Sequence, residues 1–460
     1  MIEPISFQAA IPFDGCLRIL WERGHELHDR KFDLDAIRAI LAALGNPERL
    51  YPTAIVAGTN GKGSTSAMLA AILQRAGYRT GLYTSPHLIR VNERVRINGQ
   101  DLGDDEFATA FTAVHNAVEK LVEAQVLPCR PSFFEYLTAV AFQHFACAAV
   151  DFAVLEVGMG GRLDATNVTD ASVAVITNVD LDHQEFLGET RAAIAAEKAG
   201  VIKPGRTVVS GCEHPEAREV VRKKCREAGV ELIETGGSAA ARNVFQLDGR
   251  YGFDLQTDGG ELRGITLQMP GRFQVKNAVM AATAAGQLCR AGFRIPPETV
   301  REGLQAACWP GRLEIIRQRP LILLDGAHNP AAAREVAEFI ESHLKGRTLR
   351  LVYASMRDKA IAEISGILFP LADAVYLTRP RLDRAATPEA ILESAKGAPC
   401  ETITEPDPVR ALERAVDASL PEDVILVAGS LFLVGAIKQA IAAGRLAPEN
   451  LAPKVLSELY

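Results

Sequence analysis

Residues Gly58-Thr59-Asn60-Gly61-Lys62-Gly63-Ser64 place a lysine and a serine hydroxyl among three glycines, directly after the apolar run Ala54-Ile55-Val56-Ala57 and before the helix-patterned Thr65 to Arg75. A buried strand, a glycine turn and a helix N-terminus suit a nucleotide triphosphate. Glycines let backbone N–H groups crowd around phosphate oxygens, the helix dipole favours the anion, and Lys62 reaches the β/γ-phosphates. Ser64 is the candidate hydroxyl for Mg²⁺. The full phosphate-loop pattern wants glycine where Val56 stands and Ser/Thr where Gly63 stands. A glycine turn without a ligand is the alternative, and the flanking strand and helix patterns weigh against it.

Further chemistry follows other apolar runs. After Phe152 to Leu155 comes Glu156-Val157-Gly158-Met159-Gly160-Gly161-Arg162-Leu163-Asp164-Ala165-Thr166-Asn167. A carboxylate at a strand end beside permissive glycines suits an Mg²⁺ ligand; a Gly-rich loop with a solvated Glu156 is the competing reading. After Val175 to Thr177 comes Asn178-Val179-Asp180-Leu181-Asp182-His183. Ligands gather at such strand ends in open parallel sheets. A lone histidine is usually structural or solvated, and Mg²⁺ prefers oxygen donors, so His183 is the looser ligand candidate.

These groups need an α/β scaffold to converge. Short β-branched apolar runs alternate with longer helical patterns, which predicts parallel sheets. The expected strands are Ala54–Ala57, Thr80–Tyr83, Phe152–Val157, Ser172–Asn178 and Thr207–Ser210. The expected helices are Leu34–Leu44, Ser64–Ala76, Asp104–Ala124, Phe134–Ala146, Arg191–Ala199 and Glu216–Ala228. Residues 243–268 alternate polar and apolar side chains around Asp248-Gly249 and Asp258-Gly259-Gly260, predicting antiparallel hairpins at the edge of the first domain. Helix Gln274–Ala291 then ends at Gly292, and Ile295-Pro296-Pro297 marks a boundary. A second alternation runs through Leu321–Leu324, Leu349–Tyr353, Ala374–Leu377 and Val424–Ala428. The expectation is two α/β domains: residues 1–296, carrying the nucleotide loop, and a smaller Rossmann-like unit, 297–460.

Composition narrows the class. A chain of 460 residues is long for one core. Its net charge is −7, and no lysine/arginine run suggests a nucleic-acid or membrane partner. The eight cysteines form no C-x-x-C pair, which predicts reduced, buried thiols in a cytoplasmic protein. Residues 1–12 show neither the basic start nor the apolar core of an export signal, and the apolar stretch 133–157 is broken by Glu135, Gln143, His144 and Asp151.

The ordered set Gly58 to Ser64, Ser85-Pro86-His87-Leu88, Glu156 to Asn167, Leu181-Asp182-His183 and Glu197-Lys198-Ala199-Gly200 resembles folylpolyglutamate synthases and dihydrofolate synthases, of the Mur ligase superfamily of ATP-dependent amide-forming enzymes. The match extends upstream through Lys31-Phe32-Asp33-Leu34 and Leu44-Gly45-Asn46-Pro47. Downstream it takes in Asn277, Trp309-Pro310-Gly311-Arg312, Asp325-Gly326-Ala327-His328-Asn329-Pro330, Met356-Arg357-Asp358-Lys359 and Ala428-Gly429-Ser430.

The resemblance implies roles. Asn60, Gly61, Lys62 and Gly63 would wrap the ATP phosphates, with Asn277, Arg312, Asp325 and His328 as further nucleotide contacts. Ser64, Ser85, Glu156 and His183 would hold magnesium, up to two ions. The pterin end of the folate would lie near Ser132-Phe133-Phe134-Glu135 and Leu163-Asp164-Ala165; two aromatics and a carboxylate offer faces and an acceptor, although Phe133 and Phe134 also read as core residues opening a helix. Lys198, followed by Gly200, reads from spacing as a solvated lysine at a helix C-terminus; the resemblance implies instead a carbamate formed with CO₂ that ligates the second Mg²⁺. Lys62, Lys198 and His183 are thus the expected catalytic groups.

The implied reaction transfers the γ-phosphate of ATP to a carboxylate, and the amine of L-glutamate then attacks the acyl phosphate. The acceptor would be dihydropteroate or a folate already carrying glutamate, and a monomer is the expected state. Two readings compete. A UDP-muramoyl amino-acid ligase usually carries an additional N-terminal domain, whereas 57 residues precede the glycine loop here. An ATP-sensing binding protein would not need a second domain supplying Arg312 and Asp325.

Overall fold

Runs such as Ile55-Val56-Ala57 and Val173–Ile176 are apolar on both faces of a strand, so they are stable only between covering layers. The computed structural model, which describes residues 10–22, 33–237, 239–247, 250–257, 260–395 and 400–446, places them at the centre of a sheet. Its strands are β1 (Thr53–Ala57), β2 (Thr80–Tyr83), β3 (Val95–Ile97), β4 (Gln100–Asp101), β5 (Phe152–Glu156), β6 (Val173–Ile176), β7 (Thr207–Ser210) and β8 (Leu232–Glu234), in the order β4-β3-β2-β5-β1-β6-β7-β8. From β2 to β8 all neighbours pair parallel; β3 and β4 add an antiparallel edge.

A separate antiparallel sheet follows: β9 (Ala240–Leu247), β10 (Arg250–Thr257) and β11 (Gly260–Thr266). The expected antiparallel strands are therefore present. They form their own layer, which buries Phe253, Leu255 and Ile265 in one core with helix Phe273–Arg290. The turn residues Asp248, Gly249, Asp258 and Gly259 lie outside the described residues, as do residues 1–9 and the matched Lys31 and Phe32.

The C-terminal sheet contains β12 (Glu314–Gln318), β13 (Leu321–Leu324), β14 (Leu349–Tyr353), β15 (Ala374–Leu377), β16 (Glu401–Thr404) and β17 (Val424–Ala428), ordered β12-β13-β17-β14-β15-β16. Only β12 runs antiparallel. The α/β class, with a parallel nucleotide-type sheet and a second mixed sheet, matches the expectation.

Helix Lys62–Arg75, which carries the glycine loop at its start, is buried along most of its length. It packs against Phe273–Arg290 and Pro297–Ala306. The second contact is close: a Cβ on Gly303 would lie 2.5 Å from Ile72 Cα, so glycine there lets the helices meet backbone to backbone. All eight cysteines are free, but only Cys16, Cys212 and Cys225 are buried. Cys129, Cys147, Cys289 and Cys308 are exposed and Cys400 is half-buried, correcting the expectation of uniformly buried thiols. Among the described residues no helix is long and apolar enough to cross a membrane.

Candidate functional site

The C-terminal ends of β1, β2, β5 and β6 deliver the glycine loop, Ser85, Glu156 and residues 177–183 to one edge of the first sheet. The second lobe closes that edge into a cleft of about 1350 Å³. Each loop glycine makes room for a neighbour. A Cβ on Gly58 would meet Thr177 Oγ1, one on Gly61 would lie 2.4 Å from Asn277 Oδ1, and one on Gly63 would lie 2.6 Å from Trp309 Nε1. The loop is tied to the end of β6: Asn60 N–H donates to Asn178 Oδ1 (2.8 Å), and Thr177 Oγ1 donates to the Asn60 carbonyl (2.6 Å).

Lys62 is buried and donates to the carbonyls of Gly58 (3.1 Å) and Thr59 (3.2 Å). Burial lowers its pKa, against the opposing pull of Glu156 and Asp182. Glu156 is buried at the end of β5, where Ser85 N–H donates to its Oε2 at 3.2 Å. Desolvation pushes its pKa up to about 7, with Lys62 as the leading counterweight. Ser64 Oγ accepts from Gln274 Nε2 (3.4 Å). A buried carboxylate with so little compensation, near two serines, is an oxygen donor set that fits Mg²⁺.

His183 and Lys198 do not complete a second metal set in this arrangement. His183 sits in the left-handed region (φ 51°), with Nε2 3.5 Å from the Lys359 ammonium. Lys198 is buried and donates to the Gly58 carbonyl (2.8 Å), the same oxygen that Lys62 contacts. Among the described residues no group of three His, Cys, Asp or Glu is gathered as a metal cage. Lys198 is nevertheless no solvated helix-end lysine: burial, then the neighbouring Lys62 charge, bring its pKa down to about 7.

The residues expected at the pterin end divide. Phe134 is half-buried on the cleft wall, its ring over Gly158, where a Cβ would be 2.6 Å from Cζ. Phe133 faces away: it is buried in the core, stacked by Trp21 at 5.4 Å and covered by the Arg94 guanidinium at 5.2 Å. The clamp of two aromatics is therefore corrected to one. Helix periodicity turns successive side chains about 100° apart, so adjacent residues cannot share a face.

Ser132 and Glu135 line the cleft but also cap helix Phe133–Cys147. Glu135 Oε2 accepts from Ser132 N–H (2.8 Å) and Oγ (2.6 Å), and Ser132 Oγ accepts from Glu135 N–H. Asp164 is fully engaged too: Oδ1 accepts from Thr166 N–H and Oγ1, and Oδ2 from Gly158 and Met159 N–H. It shapes the glycine loop after β5. Leu163 lines the cleft half-buried, and Ala165 is buried behind it.

From the second lobe, Arg312 crosses over Gly326, where a Cβ would be 2.4 Å from its Nη1. Asp325 is buried and accepts from Leu313 N–H (2.8 Å) and Ala327 N–H (2.7 Å), which fixes the loop carrying His328. Three cleft residues carried no assigned role in the sequence: Asp182, Asn329 and Lys359. Burial opposes ionisation of Asp182, but His328, His183 and Lys359 outweigh it and hold its carboxyl below the usual range. Both imidazoles are driven down to about 4, chiefly by burial, and Lys359 Nζ makes the short contact to the carboxylate, 2.7 Å from Asp182 Oδ1. The available signal was position, since Asp182 follows β6 and Lys359 follows β14 at the ligand-binding strand ends.

Comparison with known proteins identifies the family of this fold. Residues 105–285 match the Mur ligase middle domain and residues 311–431 the Mur ligase glutamate ligase domain. The dihydrofolate synthase/folylpolyglutamate synthase of Bacillus subtilis is 32% identical over 425 residues, covering 92% of this chain and 97% of that protein. The structure of Escherichia coli FolC in complex with DHPP and ADP superposes with a TM-score of 0.84 at 31% identity, covering 96% of this chain and 100% of that one. Mycobacterium tuberculosis folylpolyglutamate synthase complexed with ADP gives a TM-score of 0.87 at 32% identity, covering 93% and 97%.

Proposed function

The chain belongs to the dihydrofolate synthase/folylpolyglutamate synthase family of Mur ligases, and from that membership we propose how its own residues divide the work of glutamate ligation. It is an ATP-dependent amide-forming ligase that adds L-glutamate to dihydropteroate or to the glutamate tail of folates, releasing ADP and phosphate. The observation that carries the division is the burial of Lys62 and Glu156 at one cleft on the first lobe, each feeling the other's charge, with Arg312 of the second lobe lining the same cleft.

Lys62 and the N–H groups of residues 60–63 bind the β/γ-phosphates. Arg312, Asn277 and the loop fixed by Asp325 and bearing His328 complete the nucleotide contacts. Ser64, Ser85 and Glu156 would hold Mg²⁺, which when bound neutralises charge on the phosphoryl oxygens. Phe134 offers the pterin a ring face beside Leu163, and Ser132, Glu135, Asp164 and Ala165 shape that wall. The cleft keeps water from the activated carboxylate while the glutamate amine attacks.

Lys198 is assigned to carbamylation. A buried amine titrating near neutrality is partly unprotonated and can react with CO₂, and the resulting anion would suit a second Mg²⁺. His183, with the Lys359 ammonium 3.5 Å from its Nε2, is the looser member of that set. The unit containing the glycine loop is assigned to residues 1–296 and the second to 297–460, with helix Pro297–Ala306 leaning back on the nucleotide helix. A cytoplasmic monomer is the proposed setting.

Mass spectrometry of products tests the assignment, with ATP, glutamate and, in turn, dihydropteroate, tetrahydrofolates and a UDP-muramoyl acceptor. Glutamylation of the pterin acceptors with ADP and phosphate release is expected. Product only from the muramoyl acceptor, or nucleotide binding without ligation, would overturn it.

A further inference from the structure

One carboxylate of the first lobe receives three side chains of the second. Lys359 Nζ donates to Asp182 Oδ1 at 2.7 Å, and these side chains are only 9% and 10% exposed. Asn329 Nδ2 donates to Asp182 Oδ2 at 3.1 Å, and His328 Nε2 lies 3.7 Å from the same oxygen. Asp182 is itself fixed to the glycine loop: Thr59 N–H donates to the Asn178 carbonyl (3.0 Å), Asp180 N–H donates to Thr59 Oγ1 (3.0 Å), and His183 N–H closes on Asp182 Oδ1 (2.9 Å). Asn329 also exchanges amide hydrogen bonds with Asn60, at 2.9 and 3.2 Å, while its Oδ1 caps helix Pro330–His343 through Ala332 N–H.

The second lobe is thereby registered on the nucleotide loop itself. A sheltered ion pair holds one geometry because separating it leaves a charge buried without its partner. An activated carboxylate is lost to water unless the cleft stays closed until the amine arrives.

We infer that Lys359 is a positioning residue for ligation, seating the second lobe through Asp182 so that the activated carboxylate meets the glutamate amine and not water. This rests on the acyl-phosphate reading. That reading is tested separately by acceptor-dependent positional isotope exchange of ATP in the wild type.

The test compares phosphate release with glutamylated product in full-length Lys359→Met, Lys359→Arg and Asp182→Asn, using ATP, glutamate and dihydropteroate. In Lys359→Met product formation should fall about 30-fold and phosphate release much less, so that phosphate per product rises from about one to several. ADP affinity should change less than about threefold, because Lys359 acts through the lobe contact. Lys359→Arg, which keeps a cation for Asp182, should recover most of the coupling. Asp182→Asn should uncouple in the same way and serves if Lys359→Met does not fold. A purely structural role predicts equal loss of phosphate and product. That result, or a ratio unchanged in both Lys359→Met and Asp182→Asn, overturns the inference.

Discussion

The indole Nε1 of Trp309 stands 2.6 Å from where a Cβ on Gly63 would lie. Trp309 belongs to the segment joining the lobes, and the Arg96 guanidinium covers its ring at 5.0 Å while bonding Asp101. The glycine that replaces Ser/Thr after Lys62 therefore has a local cause: the first turn of the nucleotide helix is packed under an indole. Gly63→Ala should push the indole or the helix start aside and weaken ADP binding about 10-fold, the scale of an overpacked contact. Trp309→Leu should recover part of that loss. Calorimetric titration of the single and double variants checks both; normal ADP binding by Gly63→Ala would show that the contact is slack.

Lys62→Met should lower ligation by about 10³-fold or more, because phosphoryl transfer depends on charge placed at the β/γ-phosphates. Its melting temperature should stay near the wild type, since the ammonium is desolvated and contacts only loop carbonyls. Steady-state kinetics with a thermal melt decide this, and near-normal turnover would remove the loop assignment.

Lys198 carries a pH signature. With a folded pKa of about 7 against an ordinary 10.5, the native state binds fewer protons than the unfolded chain between those values. Stability should then rise as pH climbs from 7 toward 10.5, and the penalty for charging the buried amine is fully present below 7. Lys198→Met removes that penalty, so its melting-temperature advantage over wild type should be largest below neutrality and shrink by about pH 10. Melts of the nucleotide-free proteins across that range test the burial. In activity, Lys198→Met and Lys198→Arg should both be nearly inactive, and acetate should partly restore Lys198→Ala. Normal turnover by Lys198→Arg would rule out the carbamate.

The two phenylalanines should separate in function. Phe133→Ala empties a buried site between Trp21 and Arg94 and should cost about 3–5 kcal/mol of stability. Phe134→Ala should leave the melt nearly unchanged but raise KM for the pterin acceptor about 10-fold. The reverse pattern would restore Phe133 to the cleft.

What the sequence determined was local. The run Ala54–Ala57, the glycines that follow and the helix pattern after Ser64 specify strand, turn and helix within one stretch, because burial on both faces, positive φ and helical periodicity are properties of neighbouring residues. Thr80–Tyr83, Thr207–Ser210 and the strands β13, β14, β15 and β17 stand where their apolar runs predicted. Edge strands such as β12 and β16, with mostly half-buried or exposed residues, left no such run to read. Tertiary structure alone decided which of Phe133 and Phe134 meets the cleft, what fills the space over Gly63, and that Lys359 finds Asp182 across 177 residues. Periodicity in one segment fixes which side chains share a face, but the partner of that face is set by how distant strands order themselves in a sheet. The mixed roles of Glu135 and Asp164 were hidden for the same reason: a carboxylate looks free in sequence until the backbone N–H groups around it are in place.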